Sequence, residues 1–367
     1  MLLIRPGEAN RTFSEGSATI VEVAKSKLCV PLDMGLRFDL LISRHFKWLS
    51  DELTAFKPDV VHITGPGDIG MLCARLAFRH VPKPPLVAAW HTNVHQYARL
   101  RANPVLKLLP KSAAASLGVK IEDESFRAAA RFYRTARLIL APNPEILARL
   151  MQRTGKPGHV MPHGVDTELF VPGVAHEVGA PLTLGYVGRL TPEKNVRFLA
   201  HLATQLPADV RGRVRFLIVG DGSERAWLER HLPNAHFTGI LRNRELAGAY
   251  ARMDLFLFPS QTDTFGLVVL EAMSAGLPVV SFRLSGPRSA VDDGVTGYTA
   301  AASNDFVDGV AELVRNDGLR RRFSIAARET ALHFHWDTVF TSIYRAYETV
   351  LPDSRNAATE IQDVTHA

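Results

Sequence analysis

Short apolar runs alternate with helical patterns along most of this chain. In the first half such runs lie at residues 59–63, 85–90 and 138–141, and in the second half others begin at residues 182 and 255. A strand that is followed by a helix and then by another strand favours a parallel sheet, because the helix carries the chain back to the starting end of the sheet. The chain is therefore predicted to be an α/β protein with helices that cover parallel sheets.

The length of the chain and one turn-rich segment predict its division into domains. With 367 residues it is long enough for two domains with separate cores. Residues 172–181 contain several glycines and prolines and are predicted to link them. We assign residues 1–172 to a first domain, 182–335 to a second, 336–351 to a helix that returns to the first, and 352–367 to a disordered tail.

The composition is typical of a soluble globular protein, with 46% hydrophobic and 22% charged residues. Its two cysteines, Cys29 and Cys73, are too few and too far apart for a disulfide framework or a metal cluster, which indicates a reducing compartment. No apolar run approaches the ~20 residues of a membrane-spanning helix, and the first residues do not resemble a signal peptide. We therefore expect a cytoplasmic protein.

Basic residues strongly outnumber acidic ones between positions 75 and 156. In the part that spans residues 100–117 they interleave with leucine and valine, an amphipathic pattern that can lie on an anionic lipid surface. A solvated helix face explains the same pattern, and nucleic acid is a weaker choice because ordered aromatic residues are lacking. The cations are Arg99, Arg101, Lys107, Lys111, Lys120, Arg127, Arg131, Arg134 and Arg137. Peripheral contact with the inner face of the membrane is therefore one interpretation of this stretch, beside a solvated helix face.

Two acidic residues flank the start of a predicted helix in the second half. Asp263 follows an apolar run and Glu271 lies within the helix, with seven residues between them, so both carboxylates can face one pocket. Between them lie Thr264, Phe265 and Gly266, where the free N–H groups and the positive dipole end of the helix suit an anion. This combination suggests a phosphate next to carboxylates that bind hydroxyl groups, as in a nucleotide sugar.

A structural explanation of the same pair is that Asp263 caps the helix and Glu271 faces solvent. The neighbouring residues 267–270 argue against it, because all four are apolar and predict a helix that is buried on most sides. An acid within such a helix needs a partner. A purely structural role is therefore the weaker interpretation.

A second group of candidate residues follows the apolar run that begins at residue 182. The run leads to Gly188 and Arg189, and after a turn Lys194 precedes the next helix. Two cations five residues apart can flank one diphosphate, since arginine offers a planar fork of donors and lysine a point charge. Taken singly, Arg189 is also explained as a strand-end arginine and Lys194 as a surface lysine.

Six short motifs follow one another in the second half: Gly188-Arg189-Leu190, Glu193-Lys194-Asn195, Val219-Gly220-Asp221-Gly222, Phe237-Thr238-Gly239, Phe258-Pro259-Ser260, and the segment from Asp263 to Glu271. In sequence and spacing they resemble the retaining glycosyltransferases of family 4, over roughly residues 58–345. In the first half, His91-Thr92-Asn93 resembles the lipid-directed mannosyl and sulfoquinovosyl transferases of that family. Several motifs in order are far more specific than any one of them.

The resemblance implies a GT-B fold, in which two Rossmann-like domains face each other across a cleft and the second holds the nucleotide sugar. The catalytic residues that it implies are His91, Asp263, Arg189 and Lys194. The donor-binding residues that it implies are Gly188, Arg189, Lys194, Asp221, Gly222, Gly239, Ile240, Leu241, Asp263, Thr264, Phe265, Gly266, Leu267 and Glu271. In this scheme Asp263 holds the sugar hydroxyls, Glu271 holds the ribose hydroxyls, and His91 lies near the transferred sugar on the acceptor side.

We therefore expect a hexosyltransferase that moves a mannosyl or glucosyl-type group from a UDP- or GDP-sugar to a lipid or saccharide, with retention of configuration. No cofactor or metal is expected, because two cations and a helix end already meet the diphosphate. His95 follows His91 at a spacing that suits a metal pair, but no third ligand follows. The alternatives are a non-catalytic relative that binds nucleotide sugars and, more distantly, a nucleotide-sugar epimerase of similar fold.

Two departures from the family pattern affect these expectations. The first acid of the pair is Asp263 instead of the usual glutamate, which shortens its reach by one methylene and leaves the identity of the sugar open. The chain also begins at a segment, Leu2 to Gly7, that looks like the second strand of the first domain. We expect this domain to lack its N-terminal strand and glycine-rich loop, through either a misplaced start or a real loss that would weaken donor binding.

Overall fold

The computed structural model describes residues 1–33, 36–91, 110–173, 179–260, 266–283 and 290–351, together with Ala102 and Leu106. Internal contacts divide the chain into two units. The first consists of Met1–Val160 and the residues from Ile343 onward, and the second of Met161–Ser342.

The first unit opens with five short strands: β1 (Leu2–Gly7), β2 (Arg11–Glu15), β3 (Ala18–Ala24), β4 (Cys29–Asp33) and β5 (Leu36–Asp39). The first three form a sheet in the order β1-β3-β2, with β1 parallel and β2 antiparallel to β3, while β4 and β5 pair as an antiparallel hairpin. Val21 and Val23 of β3 are fully buried and cluster with Leu49 and Leu53. The segment at the start of the chain is thus a strand, as predicted.

A four-stranded parallel sheet follows, in the order β6-β7-β8-β9. Its elements are α1 (Phe46–Phe56), β6 (Val61–Ile63), α2 (Asp68–Arg79), β7 (Leu86–Ala89), α3 (Lys111–Tyr133), β8 (Leu138–Ala141), α4 (Pro144–Thr154) and β9 (Gly158–Val160). All residues of β7 and β8 are buried, as expected of parallel strands with both faces covered. The apolar runs at 59–63, 85–90 and 138–141 correspond to β6, β7 and β8.

Local sequence signals set the ends of α4. Asn143 precedes the helix, and its side chain accepts a hydrogen bond of 2.9 Å from the Ile146 N–H, while Pro144 occupies the first helical position. Gly155 ends the helix with φ of +67°, a left-handed conformation that glycine adopts without steric cost.

The second unit is built on six parallel strands: β10 (Leu182–Val187), β11 (Val214–Val219), β12 (His236–Gly239), β13 (Leu255–Phe258), β14 (Val279–Phe282) and β15 (Gly297–Ala300). Their order is β12-β11-β10-β13-β14-β15. The chain builds outward from β10 in one direction and then returns to β10 to build in the other. This is the Rossmann strand order, with its reversal between β10 and β13.

The helices of the second unit are α5 (Arg197–Gln205), α6 (Ala208–Arg211), α7 (Arg225–His231), α8 (Asn243–Tyr250), α9 (Leu267–Ser274), α10 (Ser303–Arg315) and α11 (Asp317–Leu332); α12 (Trp336–Glu348) begins in this unit and ends in the first. Two separate apolar clusters contain alternating residues of the central strand. Leu184 and Tyr186 of β10 belong to one cluster, and Val187 belongs to the other. The predicted α/β architecture with parallel sheets is confirmed.

Residues 161–172 pack within the second unit, whereas the sequence analysis places them at the end of the first domain. The guanidinium of Arg328 on α11 donates hydrogen bonds to the carbonyl oxygens of Thr167 (2.9 Å) and Phe170 (2.8 Å). The Ser274 hydroxyl also donates to the Phe170 carbonyl oxygen at 2.7 Å. These long-range bonds hold the segment, and no local pattern in the sequence encodes them.

Candidate functional site

Three glycines lie side by side at the carboxyl edge of the six-stranded sheet. Gly188 follows β10, Gly220 follows β11, and Gly239 ends β12. The Gly188 N–H donates to the Val219 carbonyl oxygen at 3.0 Å, and the Gly220 N–H donates to the Gly239 carbonyl oxygen at 2.8 Å. In open α/β sheets ligands bind at this edge, beside the point where the strand order reverses.

Two of the loops at this edge pack backbone against backbone. A Cβ atom on Gly220 would lie 1.9 Å from the Gly188 carbonyl oxygen, and one on Gly222 would lie 2.3 Å from the Leu190 carbonyl oxygen. Both glycines also have positive φ, +133° and +158°. Only glycine fits at these positions, so the loops after β10 and β11 stay close together.

The two predicted cations both lie on the loop that follows β10. Arg189 is 41% exposed, and its Nη2 lies 3.3 Å from Oε1 of Glu193. Lys194 ends a 3-10 turn formed by Pro192–Lys194 and is partly buried. The Tyr186 hydroxyl donates to the Arg189 carbonyl oxygen at 3.0 Å, and this bond links the loop to β10.

Asn195 ties this loop to the neighbouring strand. Its φ of +53° ends the 3-10 turn in the left-handed region, and its Nδ2 donates to the Pro259 carbonyl oxygen at 3.1 Å. Pro259 follows β13, so this bond spans the two strands between which the strand order reverses. Asn195 belongs to the Glu193-Lys194-Asn195 motif, but the sequence alone gives it no role. An asparagine directly after a Pro-Glu-Lys turn is a recognisable signal for a left-handed residue.

Glu271 on α9 has a buried partner that the sequence analysis does not name. Its Oε2 accepts a hydrogen bond of 2.7 Å from the hydroxyl of Tyr250, at the end of α8. Burial raises the pKa of Glu271, and the Tyr250 bond opposes that rise. The sequence predicts that an acid in this helix needs a partner, but it does not identify a tyrosine from another helix.

The N-terminus of α9 carries no side-chain cap. Gly266 precedes the helix with φ of +80°, and Leu267 at its first position is 44% exposed. The helix is buried on most sides, as expected, since Val269, Leu270, Ala272 and Met273 are buried, while Leu267 in its first turn is exposed. Asp263, Thr264 and Phe265 lie outside the described residues.

The loop after β11 makes its own internal contacts. Asp221 accepts hydrogen bonds from the Gly222 N–H (2.7 Å) and from Nη1 of Arg225 (3.1 Å). Beyond β12, Ile240 is 66% exposed and Leu241 is partly buried. These residues border the edge that the glycines form.

His91 follows β7 in the first unit and is partly buried, which lowers its pKa. His62 of β6 lies near enough for charge on one ring to affect the other. Burial, together with His91, lowers the pKa of His62 to about 4. Nδ1 of His62 lies 2.6 Å from the Tyr347 hydroxyl, on the part of α12 that belongs to the first unit. The two histidines form a cluster that is uncharged at neutral pH.

Other predicted features are only partly covered by the described residues. Thr92, Asn93, His95 and most of the basic stretch at 100–117 lie outside them. Among the described residues, Arg127, Arg149 and Arg153 all contact Asp123, so part of the basic surface is neutralised. Across the described segments we find no helix that could span a bilayer and no group of three or more potential metal ligands.

Comparison with known proteins identifies two family profiles on the chain. The profile described as Glycosyltransferase Family 4 matches residues 6–169, and that described as Glycosyl transferases group 1 matches residues 181–316. The two matches divide the chain close to the boundary between its two units.

Individual relatives agree with these profiles. A GDP-mannose-dependent alpha-mannosyltransferase of Mycobacterium tuberculosis is 34% identical over 309 residues, covering 81% of this chain and 75% of the relative. The sulfoquinovosyl transferase SQD2 of Arabidopsis thaliana is 31% identical over 311 residues, covering 80% of this chain and 57% of that protein. The structure of sucrose-phosphate synthase from Thermosynechococcus elongatus matches with a TM-score of 0.69 at 17% identity, covering 95% of this chain and 88% of the other.

The sequence relatives favour a transferase over an epimerase or a protein that only binds nucleotide sugars. The structural match supports the predicted GT-B fold of two Rossmann-like units. The chain therefore belongs to glycosyltransferase family 4 and is a hexosyltransferase that uses a nucleotide sugar.

Proposed function

We propose that this protein transfers a mannosyl group from GDP-mannose to a lipid acceptor, with retention of the anomeric configuration. The observation that carries the proposal is the carboxyl edge of the six-stranded sheet, where glycines and two cations lie beside the reversal of strand order, together with the partly buried carboxylate of Glu271 on α9. The mycobacterial relative, a GDP-mannose-dependent mannosyltransferase, supports the choice of sugar and base. The similarity to SQD2, a sulfoquinovosyl transferase, makes a UDP-linked donor the second candidate.

In this proposal the second unit holds the donor. Arg189 and Lys194, with the N-terminus of α9, neutralise the diphosphate, and close backbone packing at Gly188 and Gly220 lets the phosphates approach the sheet edge. Glu271 accepts hydrogen bonds from the ribose hydroxyls. Asp263 is assigned to the sugar hydroxyls, and Gly239, Ile240 and Leu241 to the base, with Asp221 and Gly222 shaping the loop beside them.

The chemistry follows from where charge develops. The acceptor hydroxyl oxygen bonds to the anomeric carbon while the bond between that carbon and the phosphate oxygen breaks, and the electron pair stays on the phosphate. The acceptor proton passes to the departing phosphate oxygen on the same face, which accounts for retention without a protein nucleophile. Arg189 and Lys194 stabilise the negative charge on the leaving diphosphate. His91, uncharged at neutral pH, is placed beside the transferred sugar.

We also propose that the reaction needs no metal ion, because the diphosphate charge is met by two cations and a helix end. Turnover in a chelator such as EDTA should equal turnover with added Mg²⁺ or Mn²⁺. Loss of activity in EDTA that Mg²⁺ restores would contradict this part of the proposal.

The lipid acceptor implies contact with a membrane surface. The basic amphipathic stretch at 100–117 and the exposed cations Lys120, Arg131 and Arg134 of the neighbouring region support such contact. Vesicles of anionic phospholipid should sediment the protein and vesicles of phosphatidylcholine should not. Replacing those three cations by glutamine should weaken the sedimentation without changing nucleotide affinity. Failure to sediment with either kind of vesicle would favour a soluble saccharide as the acceptor.

The donor is tested by a thermal-shift titration of the purified chain with GDP, UDP and their sugar conjugates, because a ligand that binds only the folded state raises its stability. We expect GDP and GDP-mannose to raise the melting temperature, and Lys194→Ala to abolish the shift. The anomeric coupling constant of the product, measured by NMR, tests retention. A shift with UDP alone would replace GDP-mannose by a UDP-sugar, and no shift with any nucleotide would contradict the donor site.

A further inference from the structure

Tyr250 reaches the Glu271 carboxylate from the end of a neighbouring helix. Its side chain is fully buried, and its hydroxyl lies 2.7 Å from Oε2 of Glu271 and 3.2 Å from the Val268 carbonyl oxygen. A phenol has one proton to donate, and a carboxylate oxygen is the stronger acceptor of the two. The proton therefore belongs in the bond to Glu271.

Aromatic packing fixes the position of this hydroxyl. The Tyr250 ring meets Phe170 edge to face, with centroids 5.5 Å apart, and lies 5.8 Å from the ring of Phe256. All three residues belong to the same buried cluster. Such packing leaves the tyrosine little freedom, so its hydroxyl acts as a fixed point for the carboxylate.

Glu271 depends on this contact for its charge and its orientation. Burial raises the pKa of its carboxyl group, and Tyr250 provides the opposing hydrogen bond. Among the described residues Tyr250 is the only hydrogen-bond donor to the Glu271 carboxylate. With Oε2 engaged in this way, Oε1 accepts no hydrogen bond from another described residue and can accept one from a ligand.

We propose that Tyr250 is a positioning residue whose hydroxyl holds Oε2 of Glu271, so that Oε1 accepts from the ribose hydroxyls of the donor and selects ribonucleotides over 2′-deoxyribonucleotides. This inference rests on the proposed function, in which Glu271 binds ribose. Tyr250 itself does not touch the donor. Its effect is therefore expected only on interactions that pass through Glu271.

The test compares the affinities of GDP and 2′-deoxy-GDP, or of UDP and 2′-deoxy-UDP if that base is bound, by calorimetry. The wild-type protein should prefer the ribonucleotide by about tenfold or more, the effect of one hydrogen bond to a charged group. Tyr250→Phe keeps the ring and removes the hydroxyl, and it should reduce the preference to about threefold or less.

Tyr133→Phe is the matched control. That tyrosine is also buried, and its hydroxyl donates to the Ala89 carbonyl oxygen at 3.0 Å in the first unit. This variant also loses a tyrosine hydroxyl from a buried core, and it should keep the wild-type preference for ribonucleotides. A wild-type protein that binds ribonucleotides without preferring them would overturn the ribose role of Glu271, and with it that part of the proposed function. A wild-type preference that Tyr250→Phe leaves intact would overturn only the present inference.

A second pair of variants covers the case in which Tyr250→Phe does not fold because Glu271 loses its partner. Glu271→Gln removes the buried charge, and Tyr250→Phe added to it leaves no carboxylate without a donor. If Tyr250 acts through Glu271, the single and double variants should have the same reduced preference for ribonucleotides. A further reduction in the double variant would mean that Tyr250 acts by another route.

The pH dependence of nucleotide affinity gives an independent readout. Among the described residues, the titratable groups at the contact are Glu271 and Tyr250, and Tyr186 interacts electrostatically with Tyr250. Loss of the tyrosine bond should raise the pKa at which Glu271 protonates. The affinity of Tyr250→Phe for the nucleotide should then begin to fall at a higher pH than that of the wild type, and coincident profiles would contradict the inference.

Discussion

Asn195 donates a hydrogen bond of 3.1 Å from Nδ2 to the carbonyl oxygen of Pro259. The two residues are far apart in the sequence, yet they follow β10 and β13, which are neighbours in the sheet. The bond joins the loop that carries Arg189 and Lys194 to the segment that leads to α9. This amide side chain is therefore one of the contacts that hold the candidate donor site together.

Replacing Asn195 should separate two contributions of this residue. Asn195→Ala loses the bond, at a cost of about 1–3 kcal/mol if the Pro259 carbonyl stays unpaired, and it places alanine at φ of +53°, at about 1–2 kcal/mol. Asn195→Gly loses only the bond. Urea unfolding should therefore rank wild type above glycine and glycine above alanine. Equal stability of the two variants would show that the left-handed conformation carries no cost here.

The two cations should contribute to catalysis through the diphosphate. Arg189→Ala and Lys194→Ala should each lower kcat/KM for the donor by about 2–4 kcal/mol, or roughly 30- to 1,000-fold, because each removes charge that stabilises the transition state. Arg322→Ala, which removes an exposed cation of α11, is the control and should leave kcat/KM unchanged. Initial rates at varied donor concentration give kcat/KM for the three variants and the wild type. An effect below threefold for Arg189 and Lys194 would exclude them from the site.

Five of the ten strands in the two parallel sheets, namely β6, β7, β8, β10 and β13, could be predicted from sequence because each lies in a short apolar run bounded by turn residues. β9 and β12 could not be predicted in this way, since neither is an apolar run. Gly188 could be located from the apolar run that precedes it, whereas Gly220 and Gly239 were located by the resemblance of their motifs to the family. The small sheet at the start was missed beyond β1, since β2 is mostly exposed and has no apolar face to detect. Gly16, with φ of +58°, lies in the two-residue turn between β2 and β3 and was an available hairpin signal.

The pairing of side chains within the candidate site could not be predicted in the same way. Asn195 meets Pro259 because β10 and β13, far apart in the chain, are neighbours in the sheet. Tyr250 meets Glu271 because α8 and α9, which flank β13 in the chain, pack together. Local patterns determine where elements begin and end, whereas these contacts depend on how the elements pack. The contacts of Arg328 with residues 167 and 170 have the same origin.

The stability of the first unit should fall in mild acid because of His62. Its pKa is about 4 in the folded protein against 6.5 when unfolded, so the unfolded state binds the extra proton between these values. The contribution of His62 to the free energy of unfolding is complete above pH 6.5. It decreases by on the order of 3 kcal/mol as the pH falls to 4. Hydrogen exchange of amides in β6 to β8, followed against pH, measures this loss.

Two variants separate His62 from its neighbours. His62→Gln should remove most of the dependence, and the remainder belongs to His91, whose pKa is also lowered by burial. Tyr347→Phe removes the hydroxyl 2.6 Å from Nδ1 but keeps the imidazole, so its acid dependence should persist. An unchanged dependence in His62→Gln would assign the effect to other groups.

Arg328 should be a large contributor to the stability of the second unit. Its guanidinium donates to the carbonyl oxygens of Thr167, Phe170 and Ser274. Arg328→Ala leaves these acceptors without that donor and should cost about 2–4 kcal/mol in urea unfolding. Arg328→Lys keeps the charge but not the planar fork, and should recover only part of the loss. Full recovery by lysine would mean that charge alone holds residues 161–172.

The close approach of the loops after β10 and β11 gives a sharper test of the candidate site. In Gly220→Ala the new Cβ would lie 1.9 Å from the Gly188 carbonyl oxygen, at φ of +133°. The backbone must shift, so urea unfolding should report a loss of about 2–4 kcal/mol, and nucleotide affinity should fall because Gly188 and its neighbour Arg189 move. Gly212→Ala adds the same methyl group in open space at φ of −73° and should leave both quantities nearly unchanged. A Gly220→Ala protein that is destabilised but binds nucleotide normally would separate this packing from the donor site.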